Sequence, residues 1–288
     1  MSKLKCVEII CDGNPQVGYG HINRTYNLAK EYQRYGIEVI YRTINGTDNK
    51  YLPKNFSSDL NPDILLIDVP QNAEKIIKNY LNKIPVCALD YFSHEVIPDL
   101  VISIHEHDST IPKGKRLHGF EYFIIRKDIL NLKSPLNHKQ DNIIIMLGGG
   151  DILNLSVPIA EKLSLTYKNI VIIKGPFAKN IPTSSKYDVY HSPKNLPELI
   201  KKSNWAITNG GGSLFEMLYL GIPVWAIAHT KMEETIIKLL QEKNCLLGTE
   251  KNIDIFTIDD MKIASTNGQK LIDGKGTQRI IQATKELL

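Results

Sequence analysis

The sequence predicts an α/β protein of two domains, each built around a parallel β-sheet. Short apolar runs of strand length alternate with segments of helical periodicity, and this alternation is typical of parallel sheets. The pattern restarts after a polar stretch at residues 137–142. Glycine-rich turns follow strands in both halves, so the two halves share one plan of strand, glycine loop, helix and strand.

The first half begins with a predicted strand at residues 6–10, which leads into a long glycine-bearing loop at residues 12–20. A helix is predicted from about Ile22, because Leu28, Tyr32 and Tyr35 recur at helical spacing, and Gly36 ends it. Helical material is expected at residues 74–81. The remaining strands of this half are predicted at 37–41, 64–67, 86–89 and 100–104.

The second half repeats the pattern, with helices expected at residues 155–165 and 278–288. Its strands are predicted at 143–147, 170–173, 188–190, 205–208 and 224–227. We therefore place the boundary near residue 138, giving domains at 1–138 and 139–288. Two Rossmann-like halves facing each other would form a central ligand cleft between their strand ends.

Composition narrows the class of protein. The chain has 288 residues, of which 42% are hydrophobic and 23% charged, as in globular proteins. Its net charge of +4 is too small to indicate nucleic-acid binding. No apolar run approaches the roughly 18 residues of a membrane helix, and no signal peptide is recognisable. The four cysteines lack CxxC spacing, which favours reduced, buried thiols in a cytoplasmic protein.

The most informative stretch is residues 207–216, where an apolar strand breaks into three glycines and a helix opens at Ser213. Unpaired N–H groups at such a helix start, together with the helix dipole, form an anion site suited to phosphate. Glu216 lies one turn further on and can accept hydrogen bonds from ribose hydroxyls. The stretch therefore predicts a bound nucleotide or nucleotide-sugar.

A histidine opens the first predicted helix, within the segment Gly18–Arg24. The segment is not a dinucleotide fingerprint, because Asn23 occupies the position of the third glycine. His21 could take a proton from water, and a helix N-terminus would keep its imidazole neutral. A capping or loop histidine without a catalytic role is the alternative interpretation.

Two glycine clusters, residues 148–150 and 210–212, follow strands of the second half. Neither carries the Gly-Lys-Ser/Thr of a P-loop, so ATP hydrolysis with magnesium is not indicated. Two clusters at equivalent strand ends favour phosphate or ribose binding, although tight packing of strand–helix turns would also need glycine. Asp90 could orient a sugar or a base, or cap a helix. His105 and His107 have metal-ligand spacing, but a polar loop is the preferred interpretation.

Five groups of landmarks occur in order along nearly the whole chain, at residues 12–24, 117–126, 147–154, 209–223 and 273–279. The most specific are GYGH-x-x-R, ending at Arg24, and GGGS-x-x-E, ending at Glu216. The chain resembles the UDP-sugar hydrolases of pseudaminic acid biosynthesis and their relatives, the spore coat polysaccharide proteins. The second landmark is similar to a segment of the lipid II-forming N-acetylglucosaminyltransferase.

The resemblance implies a GT-B fold and inverting hydrolysis of UDP-2,4-diacetamido-2,4,6-trideoxy-β-L-altrose, with His21 as the base that activates water. It implies no metal and no cofactor, because helix N-termini would stabilise the leaving UDP. The substrate-binding residues it implies are Asp12, Gly18, Tyr19, Gly20, Arg24, Asp90, Gly149, Asp151 and Asn154. The nucleotide-binding residues it implies are Asn209, Gly210, Gly211, Gly212, Ser213 and Glu216.

The chain departs from the family after its Gly-x-Pro segment. Relatives carry Asn-Gln there, whereas this chain has residues 229–234 with Glu233 and no Gln, which leaves the sugar and the nucleobase open. A glycosyltransferase with a UDP-sugar donor is the alternative function, followed by a non-catalytic nucleotide-sugar-binding protein. The expected partner is a UDP-sugar, without nucleic acid or stable membrane insertion. The oligomeric state is open, and a monomer is compatible.

Overall fold

The computed structural model describes residues 3–13, 20–44, 56, 59–93, 95–105, 115–132, 142–176, 178–250, 253 and 255–288. The chain divides into two compact units, the first comprising Met1–Arg126 with Gly274–Leu288, and the second comprising Lys127–Asp273. None of the helices in these described ranges combines the length and apolar character needed to cross a membrane.

The first unit contains a six-stranded parallel sheet in the order β2-β1-β3-β4-β5-β6. Its strands are β1 (Cys6–Cys11), β2 (Glu38–Thr43), β3 (Ile64–Asp68), β4 (Val86–Leu89), β5 (Leu100–Ser103) and β6 (Lys115–His118). Central strands such as β1 and β3 are buried along their whole length, as expected of parallel strands covered on both faces. A short 3₁₀ turn at Phe120–Tyr122 follows the last strand.

Among the described residues, helices α1 (Gly20–Arg34) and α2 (Ala73–Tyr80) lie between these strands in sequence. Helix α1 buries Leu28, Ala29 and Tyr32, which lie on one face of the helix. Gly36 adopts a left-handed conformation (φ 71°) just beyond the helix end, a geometry that glycine adopts without steric cost.

The second unit contains a five-stranded parallel sheet in the order β11-β10-β7-β8-β9. Its strands are β7 (Asn142–Met146), β8 (Asn169–Lys174), β9 (Asp188–His191), β10 (Trp205–Thr208) and β11 (Val224–Ala226). Its helices are α3 (Lys127–Leu130), α4 (Ser156–Leu163), α5 (Leu196–Lys201), α6 (Gly212–Leu220), α7 (Lys231–Glu242) and α8 (Ile258–Leu271). The core contains Trp205 and Trp225, both of which contact Phe256.

The domain prediction requires correction, because the last helix, α9 (Gly276–Lys285), belongs to the first unit rather than to the second. Ile280 and Ile281 are buried in the same core as Leu28, and the Tyr32 hydroxyl bonds Thr284 Oγ1 at 2.7 Å. Apolar burial against α1 therefore determines where the chain end packs. The first segment of the first unit ends at Arg126. The predicted boundary at residue 138 lies outside the described residues.

Candidate functional site

The carboxyl ends of β1 and β3 lie side by side in the first unit. The chain leaves β1 toward β2 on one side of it, whereas β3 pairs with β1 on the other side. Ligands of open α/β sheets bind at such a switch in strand order. Asp68 is the last residue of β3, and His21 and Arg24 lie in the first turns of α1, which follows β1. The fold therefore brings His21 and Arg24, which follow β1, and Asp68, which ends β3, to the same edge of the sheet.

These three side chains form a hydrogen-bonded cluster. His21 Nδ1 lies 2.8 Å from Asp68 Oδ1. Arg24 donates to the same carboxylate twice, from Nε to Oδ2 and from a terminal nitrogen to Oδ1, both at 2.5 Å. The Asp68 side chain is 1% exposed, whereas His21 is 25% exposed. The carboxylate is therefore sequestered while the imidazole can meet a ligand.

The protonation of Asp68 determines which nitrogen of His21 carries hydrogen. Burial alone would raise the pKa of the Asp68 carboxyl, but the charge and hydrogen bonds of Arg24 lower it from 3.8 to about 2. An ionised carboxylate only accepts hydrogen bonds, so His21 Nδ1 must carry the proton. Arg24 also approaches Nδ1, at 3.2 Å, but the protonated nitrogen cannot accept from it. In the neutral ring, Nε2 therefore keeps a lone pair and can act as a base.

The cluster continues toward β4 and β5. Arg24 also donates to Asp90, whose other carboxylate oxygen accepts from Ser103 Oγ at 2.6 Å. Burial alone would raise the pKa of Asp90, but Arg24 lowers it, so both carboxylates are ionised at neutral pH. One guanidinium then faces two carboxylates, so these three groups carry one net negative charge beside His21. Asp90 does not cap a helix; it has a left-handed backbone (φ 46°) and no helix follows it directly.

A pocket adjoins this cluster within the first unit. Arg24, Asp90 and Ser103 form its polar side, and apolar side chains that include Leu89 and Ile280 line the remainder. Its volume is about 30 Å³, which is enough to hold water. It opens beside the ion pairs and extends the polar edge of the sheet.

Of the other residues predicted to form the site in this unit, some lie within the described residues and some lie outside them. Gly18, Tyr19 and His107 lie outside the described residues. Gly20 is the first residue of α1, and Asp12 lies directly after β1, where its Oδ1 accepts from the Gly13 amide at 2.8 Å.

His105 packs edge-on against the Phe92 ring. Within the described ranges, no group of three or more His, Cys, Asp or Glu side chains could hold a metal ion.

The two glycine loops of the second unit meet at a similar switch in strand order, because they follow the neighbouring strands β7 and β10. Gly148 is left-handed (φ 71°). A Cβ on Gly175, after β8, would lie 2.4 Å from the carbonyl oxygen of Gly149, so backbone approaches backbone there. The predicted tight packing and a ligand-binding role both remain compatible with these loops.

Helix α6 begins at Gly212, and no side chain caps its N-terminus. Ser213 follows as the second residue of the helix, so N–H groups at its start are not taken up by a cap. Glu216 is 8% exposed within the helix, which makes it less accessible than its predicted contact with ribose suggested. These residues retain their nucleotide-binding role as a prediction.

Asp151 has a structural role that the sequence interpretation did not assign. Its two carboxylate oxygens accept from the backbone amides of Leu155 (2.9 Å) and Ser156 (3.0 Å), at the start of α4. Asn154 makes a 3.5 Å contact with the Ile152 carbonyl and has a left-handed backbone. Their binding of substrate stays a prediction.

Glu233 lies within residues 229–234, the segment where the chain departs from the resemblance, and it faces the second glycine loop. Its Oε1 accepts from Asn209 Nδ2 at 2.6 Å, and its Oε2 accepts from the His229 backbone amide at 2.7 Å. A Cβ on Gly210 would lie 2.7 Å from the Cβ of Glu233, which is in the first turn of α7. Position 210 therefore requires glycine. The carboxylate therefore holds the loop instead of being directed at solvent.

Sequence reasoning missed two residues of the first cluster, Asp68 and Ser103. The available signal was their position, because each is the polar last residue of a buried strand. Polar residues at the carboxyl ends of parallel strands are candidates for a site even when no motif contains them.

Comparisons with known proteins give distant relatives. No protein-family profile matches the chain. It is 25% identical to the UDP-2,4-diacetamido-2,4,6-trideoxy-β-L-altropyranose hydrolase of Campylobacter jejuni, over 81% of this chain and 94% of that protein. It is 20% identical to the spore coat polysaccharide biosynthesis protein SpsG of Bacillus subtilis, over 98% of each chain. An uncharacterized protein of Methanocaldococcus jannaschii is 25% identical over 79% of this chain, which spans only 56% of that protein's length.

Solved structures share the fold. MurG of Acinetobacter baumannii superposes with a TM-score of 0.64 at 12% identity, covering 98% of this chain and 99% of that one. UDP-GlcNAc 2-epimerase from Neisseria meningitidis, bound to UDP-GlcNAc, gives a TM-score of 0.59 at 14% identity, covering 97% and 99%. The α/β, GT-B fold class expected from the sequence is thus confirmed. The chain is a distant relative of proteins named as a UDP-sugar hydrolase and a spore coat polysaccharide protein.

Proposed function

We propose that this protein hydrolyses a UDP-sugar, with His21 as the general base and Asp68 as the residue that orients it. The contact between His21 Nδ1 and Asp68 Oδ1, at 2.8 Å, carries the proposal. It fixes the tautomer that leaves Nε2 as a base on a partly exposed ring. A histidine that is oriented by a buried carboxylate is a recurrent arrangement for removing a proton from a nucleophile.

In the proposed reaction, His21 Nε2 takes a proton from water as the water oxygen attacks the anomeric carbon. The bond between that carbon and the β-phosphate oxygen breaks, UDP leaves with the bonding electrons, and the configuration at carbon inverts. The proton then passes from the imidazolium to solvent. Asp68 stabilises the imidazolium while it exists, as a carboxylate next to a catalytic histidine does.

The charge of the cluster supports this direction of proton transfer. Before the reaction, Arg24 faces Asp68 and Asp90, so the cluster carries one net negative charge. Protonation of His21 brings that sum to zero, and the low pKa of Asp68 keeps its charge available. The same negative charge favours positive charge developing on the sugar ring.

The second unit would bind the nucleotide. Uncapped amides at the start of α6 can receive the diphosphate, and Glu216 would contact ribose. The resemblance to the Campylobacter jejuni hydrolase suggests a 2,4-diacetamido-2,4,6-trideoxy sugar.

The proposal is tested by measuring UDP release from a panel of UDP-sugars with no acceptor added. We expect release by the wild type and a loss of at least a hundredfold in His21→Gln, because a positioned base contributes about 10²–10⁴-fold. His191→Gln is the matched control, since His191 is an exposed histidine at the end of β9 in the other unit. Equal rates in His21→Gln and wild type would contradict the role of His21.

A glycosyltransferase is the second candidate, because the same His21–Asp68 pair could deprotonate a sugar hydroxyl as readily as water. The fold is shared with MurG of Acinetobacter baumannii, and fold alone does not separate the two reactions. Tight binding of UDP-sugars without release, followed by His21-dependent release when an acceptor is added, would favour transfer. Release in water alone favours hydrolysis.

A further inference from the structure

Glu233 uses both carboxylate oxygens to accept hydrogen bonds beside the second glycine loop. One oxygen accepts from the side-chain amide of Asn209 (2.6 Å), and the other accepts from the backbone amide of His229 (2.7 Å). Both partners are N–H donors, so the residue between them must be an acceptor at both positions. A carboxylate satisfies that requirement, whereas the carboxamide of Gln would place a donor against one of the two.

This arrangement fixes which way the Asn209 amide is turned. Its NH₂ group must face Glu233, because a carboxylate repels the amide oxygen. Asn209 Oδ1 has no hydrogen-bond partner among the described residues. The amide is also confined, since a Cβ on Gly148 would lie 3.2 Å from Nδ2, and one on Gly211 would lie 3.5 Å from it. The glycine loops thus surround an amide that presents its oxygen.

We propose that Glu233 is a positioning residue that makes Asn209 Oδ1 an acceptor for a hydrogen-bond donor of the nucleoside, either a ribose hydroxyl or the N–H of the base. The inference rests on the proposed nucleotide-binding function of this unit. An amide oxygen repels phosphoryl oxygens, so Asn209 Oδ1 suits a donor of the nucleoside and not the diphosphate. The diphosphate is left to the backbone amides at the start of α6.

Glu233→Gln distinguishes a role of Glu233 in ligand specificity from a purely structural role. Because the backbone amide of His229 cannot turn, Glu233→Gln would keep its oxygen toward His229 and offer its NH₂ to Asn209. The Asn209 amide would then rotate and present its own NH₂ to the ligand. The acceptor becomes a donor while the loop keeps its contacts, so discrimination between ligands changes even if the fold does not.

The experiment measures dissociation constants by calorimetry for UDP, 2′-deoxy-UDP, 3′-deoxy-UDP, N3-methyl-UDP and inorganic pyrophosphate. In the wild type, we expect one modified nucleotide to bind about three- to tenfold more weakly than UDP, which identifies the donor. Glu233→Gln should remove that preference and leave pyrophosphate affinity within about twofold. Glu234→Gln is the matched control, because Glu234 is exposed in the same first turn of α7.

A second variant provides rescue. Asn209→Asp combined with Glu233→Gln restores a donor–acceptor pair and again offers an oxygen to the ligand, so the preference should return. Asn209→Asp alone places two carboxylates in contact, which repel each other, so this variant should not show the preference. A preference that survives Glu233→Gln, or an equal loss of UDP and pyrophosphate binding in that variant, overturns the inference.

Failure of the proposed function is distinguishable from failure of the inference. If the wild type binds no uridine nucleotide, the proposed function is wrong. The same comparison is then made with the nucleoside diphosphate that does bind and its deoxy analogues. Absence of binding to all nucleoside diphosphates overturns both.

Discussion

Replacing Asp68 with Asn removes the charge that holds His21 and Arg24 in place. The low pKa of this carboxyl, about 2 instead of 3.8, corresponds to about 2.5 kcal/mol of preference for the ionised form. Breaking a buried ion pair costs about 3–5 kcal/mol, but Arg24 keeps Asp90 as a partner. We therefore expect Asp68→Asn to lower the free energy of unfolding by about 2–4 kcal/mol.

The catalytic consequence should be larger than the loss of stability suggests. Without the carboxylate, the proton on His21 Nδ1 loses its acceptor, and the tautomer with a free Nε2 is no longer favoured. We therefore expect kcat to fall about 10²–10⁴-fold. The assay is UDP release below the unfolding transition, with urea unfolding measured alongside. Asp63→Asn is the control, because Asp63 precedes the same strand and accepts from the Lys5 and Cys6 amides at its opposite end. A kcat for Asp68→Asn within threefold of that of Asp63→Asn would refute the pairing.

Three further predictions concern both units. Gly210→Ala should weaken UDP binding, since its Cβ would lie 2.7 Å from the Glu233 Cβ, whereas Gly211→Ala meets contacts no closer than 3.5 Å and should be tolerated; calorimetry compares the two. Glu216→Gln should weaken UDP binding by roughly 1.5–3 kcal/mol if its carboxylate contacts ribose, and unchanged affinity would place ribose elsewhere. Because the folded-state pKa of Asp68 lies below its unfolded value, its stabilisation is present above about pH 4 and lost toward about pH 2. Urea midpoints should therefore fall over that range in wild type and fall less in Asp68→Asn.

Much of the fold could be predicted from local pattern. Strand β4 and strand β10 match their predicted bounds, because each is a short apolar run between polar or turn residues. The polar strand β6, Lys115–His118, was missed because it lacks such a run and lies at the sheet edge. Helix α9 was predicted, but it was assigned to the wrong unit. Its packing against α1 joins residues some 250 positions apart, and local sequence pattern does not reveal such a contact.

The candidate site was predictable only in part for a similar reason. His21 and Arg24 belong to one local motif and could be singled out from spacing. Their partner Asp68 is 44 residues beyond Arg24, and nothing in the sequence specifies that pairing. Glu233 was visible as a departure from relatives. That it accepts from Asn209, 24 residues away, required the geometry of the loop.

The return of α9 to the first unit has a consequence for synthesis. During translation, the helix that carries His21 is made about 250 residues before the residues of α9 that pack against its buried face. The first unit cannot complete its core until Ile280 and Ile281 have been made, whereas the second unit can fold before then. A nonsense or frameshift lesion just before the codons of α9 would therefore impair the unit that carries His21 and spare the glycine loops of the other.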